Sequence, residues 1–407
     1  MRSTLFPLVA TLAVQLLVAM AVVAVPVLAP AAAPEIGVPT GYVGLFIAIV
    51  YGAGMGSTLV SGTLVARFGA IRVSQLCLAA CAAGLACVAG GTPTLLAAGA
   101  VLLGFGYGPV TPASSHILAK TTPPGAMAFV FSLKQTGVPL GGALAGAVVP
   151  GLVLWAGWRW AALAVALTCL AAIAFVQPLR AGLDADRNPD RRLAASNLAG
   201  PLRSTLAEPA LRRLAFCSFF FAALQLCLVT YLVTHLTLNL GFTLVEAGLM
   251  LTVAQGGGVF ARIAWGALAD RWGRPTLVIA LIAIGMGAAA LATAAFTADW
   301  PVAAIAVVCA AFGATAIGWN GVYLAQVARL APPGKAGDAT GGSLVFTYGG
   351  VLLGPPAFAF LVEGGVPYAS AYVIAAVPAV ACGLWLLAAD WGGNDAGRAR
   401  PGTLENG

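Results

Sequence analysis

The chain has 407 residues, of which 60% are hydrophobic and only 8% are charged, with a formal net charge of +7. Soluble domains carry about a quarter charged residues, so this composition excludes a soluble globular protein and indicates an integral membrane protein. The apolar runs are too long for the strands of a membrane β-barrel. An all-α membrane fold is therefore predicted.

Twelve apolar runs, separated by Gly/Pro-rich or charged breaks, predict twelve transmembrane helices. The predicted spans are 5–28, 41–66, 72–90, 94–118, 126–150, 158–178, 212–238, 244–269, 276–297, 302–330, 339–362 and 368–390. The first run follows Arg2 and imitates a secretory signal peptide. It is long enough to span a membrane, however, and its removal would leave an odd number of helices, so we expect it to be retained.

An arginine-rich segment divides the chain. Residues 180–211 combine arginines and aspartates with prolines and predict a polar linker between an N-terminal six-helix bundle, 1–179, and a C-terminal six-helix bundle, 212–391. Residues 392–407 are predicted to be a polar tail. The halves repeat, because Ala13–Leu16 matches Ala223–Leu226 and Lys120–Gly125 matches Arg329–Gly334.

The positive charges predict the orientation. Of the 20 Lys and Arg residues, 17 lie at the span ends or in the loops on one side; Arg159 lies on the other side, and Lys134 and Arg262 lie deep within spans. The positive-inside rule places the basic side, with both termini, in the cytoplasm. We expect a multi-pass protein of a bacterial-type inner membrane, and the same asymmetry accounts for the basic charge without nucleic acid.

A charged turn follows the eighth predicted span, and a weaker copy lies 204 residues earlier, after the second. The turn contains Gly266, Asp270, Arg271, Gly273 and Arg274, and the copy contains Gly62, Arg67 and Gly69. The turn resembles the Gly-x-x-x-Asp-Arg-x-Gly-Arg signature loop of the major facilitator superfamily. This resemblance implies two pseudo-symmetric six-helix bundles, transport by alternating access, and conformational gating by these loops. The copy departs from the pattern at Ala66, where the family has the acid, so the N-terminal half is expected to lack its share of that latch.

Two cations are predicted deep in spans. Arg262 lies roughly 12 Å of helix before Asp270, and Lys134 lies roughly 13 Å after Gly125. A cation at such depth is costly unless it faces protein or a water-filled cavity, so each is a candidate for binding an anionic substrate. The alternative for each is snorkelling to the membrane surface.

A further resemblance concerns Arg262. Residues 261–269 are similar to the eighth helix of monocarboxylate and oxalate transporters, which implies that Arg262 binds a substrate carboxylate. A planar guanidinium suits this role because it donates two parallel hydrogen bonds to a carboxylate.

Other polar residues are candidates for the same cavity. They are Gln15, Gln225, Tyr107, Trp319 and Asn320, with Gln255 and Tyr323 as further possibilities. Hydrogen bonding between helices is the alternative role for each. For His116 and His235, packing or interfacial positions and proton relay are both open.

These observations predict a transporter and not an enzyme, because no catalytic constellation or phosphate-binding loop is present. The eight cysteines lack disulfide or metal-ligand spacing, and neither a metal nor another cofactor is expected. The predicted partners are membrane lipids and a small anionic substrate, most favourably a carboxylate, moved by secondary active or facilitative transport. The chain is expected to be a monomer.

Rival functions are a proton-coupled exporter of hydrophobic compounds or drugs, a transport-inactive receptor of the same fold, and a carrier of another small anion such as nitrate or cyanate. Residues 137–142 partly resemble the glycine-proline motif of drug antiporters. The spacing is one residue short, however, and Ala100 stands near the expected arginine. Since no acid is predicted deep in a span, we expect anion exchange or facilitated movement, with any proton coupling through a histidine or the substrate.

Overall fold

The computed structural model describes residues 2–123, 127–193, 199–332 and 336–391. The predicted tail, 392–407, and parts of the repeated Pro-Pro-Gly turns lie outside these residues. The N-terminal half contains α1 (Arg2–Ile36), α2 (Val43–Phe68), α3 (Ala70–Ala89), α4 (Pro93–Tyr107), α5 (Val110–Thr121), α6 (Met127–Gln135), α7 (Gly137–Ala156) and α8 (Trp158–Val176). The segment between the halves contains α9 (Arg180–Leu183) and α10 (Ala199–Ala207).

The C-terminal half contains α11 (Pro209–Leu240), α12 (Leu244–Trp272), α13 (Pro275–Ala294), α14 (Val302–Ala316), α15 (Asn320–Leu330), α16 (Ala336–Glu363) and α17 (Tyr368–Trp391). Short 3₁₀ turns occupy Thr40–Tyr42 and Gln177–Leu179. We call the membrane side of segment 180–211 the linker side, and the side of the turn Thr40–Tyr42 the distal side.

Twelve stretches of the described residues are long and apolar enough to cross a membrane, which confirms the predicted number. The first span continues to Ile36, eight residues beyond its predicted end, because α1 runs through Pro26, Pro30 and Pro34. Prolines are tolerated in transmembrane helices, where neighbouring helices satisfy the freed carbonyls. Trp155, Phe260 and Phe360 are 84%, 76% and 81% exposed, as expected for an outer surface that faces lipid.

Three spans are each divided into two helices, and we call these positions the mid-span breaks. The fourth span breaks between α4 and α5, the fifth between α6 and α7, and the tenth between α14 and α15. Pro109 lies at the first break and cannot donate a helical hydrogen bond. In transmembrane carriers, interrupted helices commonly mark the substrate site, because their ends leave backbone polar groups free.

The two halves pack closely on the distal side. Their main contacts join α2 to α16, α7 to α12 and α1 to α11. Gly146 and Gly248 permit the close approach of α7 and α12, since a Cβ on either would lie within 2.4 Å of the other's carbonyl oxygen. On the linker side, α5 and α15 make their main contacts within their own halves. The described structure is thus closed on the distal side.

Candidate functional site at the mid-span breaks

Arg262 of α12 joins two of the mid-span breaks. Its Nε donates to Ile317 O at 3.1 Å, and its Nη1 donates to Gln135 O at 3.2 Å. Gln135 ends α6, and the residue four positions later, which would normally donate to its carbonyl, is Pro139. Because proline has no N–H, that carbonyl is free to accept from the guanidinium. One arginine therefore binds the backbone of both halves at the mid-span breaks.

Lys134 lies next to this contact and is almost fully enclosed. Its side chain is 1% exposed, and Nζ donates to Gln135 Oε1 at 3.1 Å. The ammonium therefore does not snorkel to a membrane surface. A buried cation with only a neutral partner is poorly compensated. In the parts of the chain that the structure describes, neither Lys134 nor Arg262 forms an ion pair with a carboxylate.

The repeated glutamines occupy matching environments. Gln15 Oε1 accepts from Thr111 Oγ1 at 3.2 Å. Gln225 Oε1 accepts from Trp319 Nε1 at 2.9 Å and from Asn320 Nδ2 at 3.4 Å. With each amide oxygen engaged, the amide nitrogen of each glutamine is left as a hydrogen-bond donor. The sequence predicted four of these residues and missed Thr111.

A signal for Thr111 was present in the repeat. The shift that carries Lys120 onto Arg329 also carries Thr111 onto Asn320. Each of these residues stands at the start of the linker-side helix of a broken span, α5 or α15. Gln135 was also missed, and its signal was Pro139 four residues later.

Aromatic hydroxyls complete the surroundings of Arg262. Tyr107 lies near enough to the guanidinium to interact electrostatically. Its ring meets that of Tyr51 edge-on, with centroids 5.2 Å apart. Tyr348 of α16 also lies close to Tyr107. The site thus combines two cations with amide and phenol groups.

The family follows from comparison with known proteins. The sequence matches the Major Facilitator Superfamily over residues 11–348. The chain belongs to the Major Facilitator Superfamily. Members of this superfamily are membrane transporters, and the resemblance of the charged turns to the superfamily's signature loop is confirmed at that level.

One curated relative of this superfamily member is an uncharacterised MFS-type transporter from Mycobacterium tuberculosis, 25% identical over 289 residues. The match covers 70% of this chain and spans 61% of the relative's length.

Among solved structures, the nucleoside transporter NupG superposes with a TM-score of 0.75 at 16% identity, covering 94% of this chain and 99% of NupG. A peptide transporter in complex with sulfate has the same TM-score and identity, covering 94% and 93%. A bacterial homologue of the lysosomal transporter Spinster has a TM-score of 0.67 at 16% identity, covering 94% of each chain. At these identities the likeness shows the fold alone.

The remaining predicted cavity residues have structural contacts. Gln255 is buried against Gly142, where a Cβ would lie 2.2 Å from its Nε2. Tyr323 is buried and packs edge-on against Trp319 with centroids 5.0 Å apart.

The two histidines of this transporter lie away from the mid-span breaks. His116 Nε2 lies 3.0 Å from Asp186 Oδ2 on the linker side. His235 is buried between the rings of Tyr368 and Tyr372, at centroid distances of 5.8 and 5.7 Å, and its ring nitrogens have no hydrogen-bond partner among the described residues. The Lys120 ammonium and then His116 hold the pKa of Asp186 below its usual value.

The charged turns lie on the linker side. Asp270 pairs with Arg329 at 3.6 Å between exposed side chains. Gly273 ends α12 with φ +62°, and Gly69 separates α2 from α3 with φ +92°, conformations that favour glycine. A Cβ added at Gly62 or at Gly266 would have no neighbouring atom within 4 Å. Arg67 lies over the ring of Phe68, and Arg271 and Arg274 are exposed.

An acid from another segment serves the turn that carries Ala66. Asp184 accepts from the backbone N–H groups of Ile71 and Arg72 at 2.8 and 3.1 Å. These groups open α3, where the helix dipole favours a negative charge. The N-terminal half thus has a carboxylate at this loop, supplied by the segment after the sixth span rather than by the motif.

Proposed function

We propose that this transporter moves a small organic anion, most favourably a carboxylate, by alternating access, as a secondary active or facilitative carrier. The observation that supports the proposal is the meeting of Arg262 and Lys134 on Gln135 at mid-membrane. No carboxylate among the described residues pairs with either cation. An anionic ligand would supply the missing countercharge and would replace a neutral backbone acceptor of Arg262 with a charged one.

The remaining donors suit the same ligand. The amide nitrogens of Gln15 and Gln225 and the phenol of Tyr107 are hydrogen-bond donors that carry no competing negative charge. The organic-anion branch of the superfamily is therefore the assignment that we propose, with Arg262, Lys134, Gln15, Gln225, Tyr107, Asn320 and Trp319 around the substrate. In the same proposal the charged turns act as conformational gates.

The orientation is also proposed from charge. Nearly all surface cations of the described residues lie on the linker side, so we infer that this side faces the cytoplasm of a bacterial-type inner membrane, with both termini. The distal side is then periplasmic, and the described state faces inward. We propose that the carrier works as a monomer in contact with membrane lipids.

The alternative is a proton-coupled exporter of hydrophobic compounds or drugs. The partial glycine-proline run at Gly137–Gly142 favours it. A cationic compound would, however, meet two cations and no carboxylate at the mid-span breaks. The alternative therefore fits neutral compounds better than cationic ones.

A ligand screen tests the proposal. Purified transporter is heated with a panel of mono- and dicarboxylates, inorganic anions and typical efflux drugs, because a ligand that binds the folded state raises its melting temperature. We expect stabilisation by carboxylates that is lost in Arg262→Ala and kept in Arg159→Ala, a matched change of a cation at the distal surface. Stabilisation by drugs with no response to any anion would contradict the proposal.

A further inference from the structure

A single glycine of the N-terminal half is held by two side chains of the C-terminal half. Gly41 lies in the turn before α2, and its N–H donates to Glu363 Oε1 at 2.9 Å. The Tyr231 hydroxyl lies 3.1 Å from Gly41 O in the N-terminal half and 2.7 Å from Pro355 O in the C-terminal half. This phenol is therefore a hydrogen-bond donor to a backbone carbonyl of each half. Both backbone polar groups of Gly41 are therefore bonded across the distal closure.

The fit around these contacts depends on small residues. A Cβ on Gly41 would lie 2.2 Å from Glu363 Oε1, and a Cβ on Gly44 would lie 1.9 Å from Tyr231 Oη. Glycine at both positions lets the start of α2 meet the end of α16 and the middle of α11. This contact must break when the distal side opens, since it joins elements of opposite halves.

Glu363 differs from the other two distal glutamates in what it binds. Glu35 pairs with Arg159 and Trp158, all within the N-terminal half. Glu246 accepts from Thr243 in the capping box that begins its own helix, α12. Of these three, only Glu363 forms its hydrogen bond across the two halves, and it is exposed enough for a proton from the distal compartment to reach it.

We propose that Glu363 is the latch of the distal gate: its ionised carboxylate on the Gly41 N–H, together with Tyr231, holds this side closed, and protonation from the distal compartment releases it. A hydrogen bond to an ionised acceptor is roughly twice as strong as one between neutral groups. Loss of the charge therefore weakens the closed state and shifts the population towards the distally open one.

The titratable groups nearest Glu363 are phenols. The titratable side chains that face it are the phenols of Tyr231 and Tyr368. Tyr42 lies in the turn Thr40–Tyr42, and His235 lies behind Tyr368. The turn and the first residues of α17 bring no Lys, Arg, Asp or Glu. The proposed latch does not depend on which substrate the carrier binds.

Hydrogen–deuterium exchange of the full-length protein measures the latch directly, because the Gly41 amide is the donor. We expect peptides covering residues 38–45 to exchange about tenfold faster in Glu363→Gln, the change for a loss of about 1.4 kcal/mol. Glu246→Gln is the matched control, since its carboxylate bonds only within α12. Tyr231→Phe should also speed exchange at 38–45 by freeing the Gly41 carbonyl.

A pH series completes the test. After correction for intrinsic exchange, the wild-type rate at 38–45 should rise as the pH is lowered from about 7 to about 4, because acidification protonates carboxylates. The rate in Glu363→Gln should stay level. An unchanged rate in Glu363→Gln, or a uniform rise across the whole chain that marks general destabilisation, would overturn the latch. Hydrogen exchange at residues 38–45 is measured without any substrate. The latch is therefore tested whether or not the proposed organic-anion substrate is correct.

Discussion

Arg262 and Lys134 come from opposite halves of the transporter and converge on one residue, Gln135. The Arg262 guanidinium donates a hydrogen bond to the backbone oxygen of Gln135 at 3.2 Å. The Lys134 ammonium donates to the side-chain oxygen of the same residue at 3.1 Å. Pro139 leaves the backbone oxygen without a helical donor, so the two cations share a polar group at the break of the fifth span.

Arg262→Lys should abolish anion transport while expression and membrane insertion stay near normal. Lysine keeps the positive charge but lacks the forked guanidinium. The guanidinium contacts Gln135 O and Ile317 O together, and it can bind a carboxylate through two hydrogen bonds. Uptake of the best-stabilising carboxylate into proteoliposomes measures the effect, with Arg159→Lys as the control. Wild-type uptake by Arg262→Lys would show that recognition by this fork is wrong.

Lys134→Gln should weaken substrate affinity more than it harms folding. The enclosed ammonium costs desolvation in the empty protein and attracts an anion when one binds. We expect the melting temperature of the empty protein to be unchanged or higher, and the dissociation constant of the anion to rise at least about tenfold, or about 1.4 kcal/mol. The two are measured by thermal unfolding and by ligand titration of the same preparations. An unchanged affinity would remove Lys134 from the substrate site.

Pro139→Ala should repair the break of the fifth span. Alanine supplies the N–H that Gln135 O lacks, and this helical hydrogen bond competes with Arg262 for the same oxygen. We expect slower transport together with strong protection of the residue 139 amide from hydrogen exchange. Pro150→Ala is a matched control, because that proline lies within α7, away from Arg262. Transport at the wild-type rate despite a protected amide would show that the Arg262–Gln135 contact is dispensable.

Transport should not require a proton gradient when the substrate is fully ionised. The described ion-paired acids lie at the ends of spans or in the segment after the sixth span, and both histidines lie away from the mid-span breaks. Uptake with an imposed pH gradient is compared in wild type, in the double variant His116→Gln/His235→Gln, and with Glu363→Gln added. Strong acceleration that survives all three changes would contradict anion exchange or facilitated movement.

The sequence by itself determined the features that depend on local patterns. Runs of apolar residues predicted twelve spans, because a helix must satisfy its own backbone in lipid. The repeat from Gln15 to Gln225 and the turns at Gly62 and Gly266 indicated two related halves. The lone cations Arg262 and Lys134 stood out because charge within an apolar run is rare.

Tertiary structure alone decided which of these groups meet. Gln135 and Arg262 are 127 residues apart, and Gly41 and Glu363 are 322 residues apart. Contacts over such long separations follow no periodic pattern in the sequence. Asp184 brings a carboxylate to the turn that carries Ala66 from a segment more than a hundred residues away, for which the local motif gives no indication. Hydropathy specifies which segments enter the membrane, whereas the pairing of polar groups depends on how the two bundles pack. The reason is that an unsatisfied carbonyl or cation within a span is compensated by whichever neighbour the packing brings within hydrogen-bond distance.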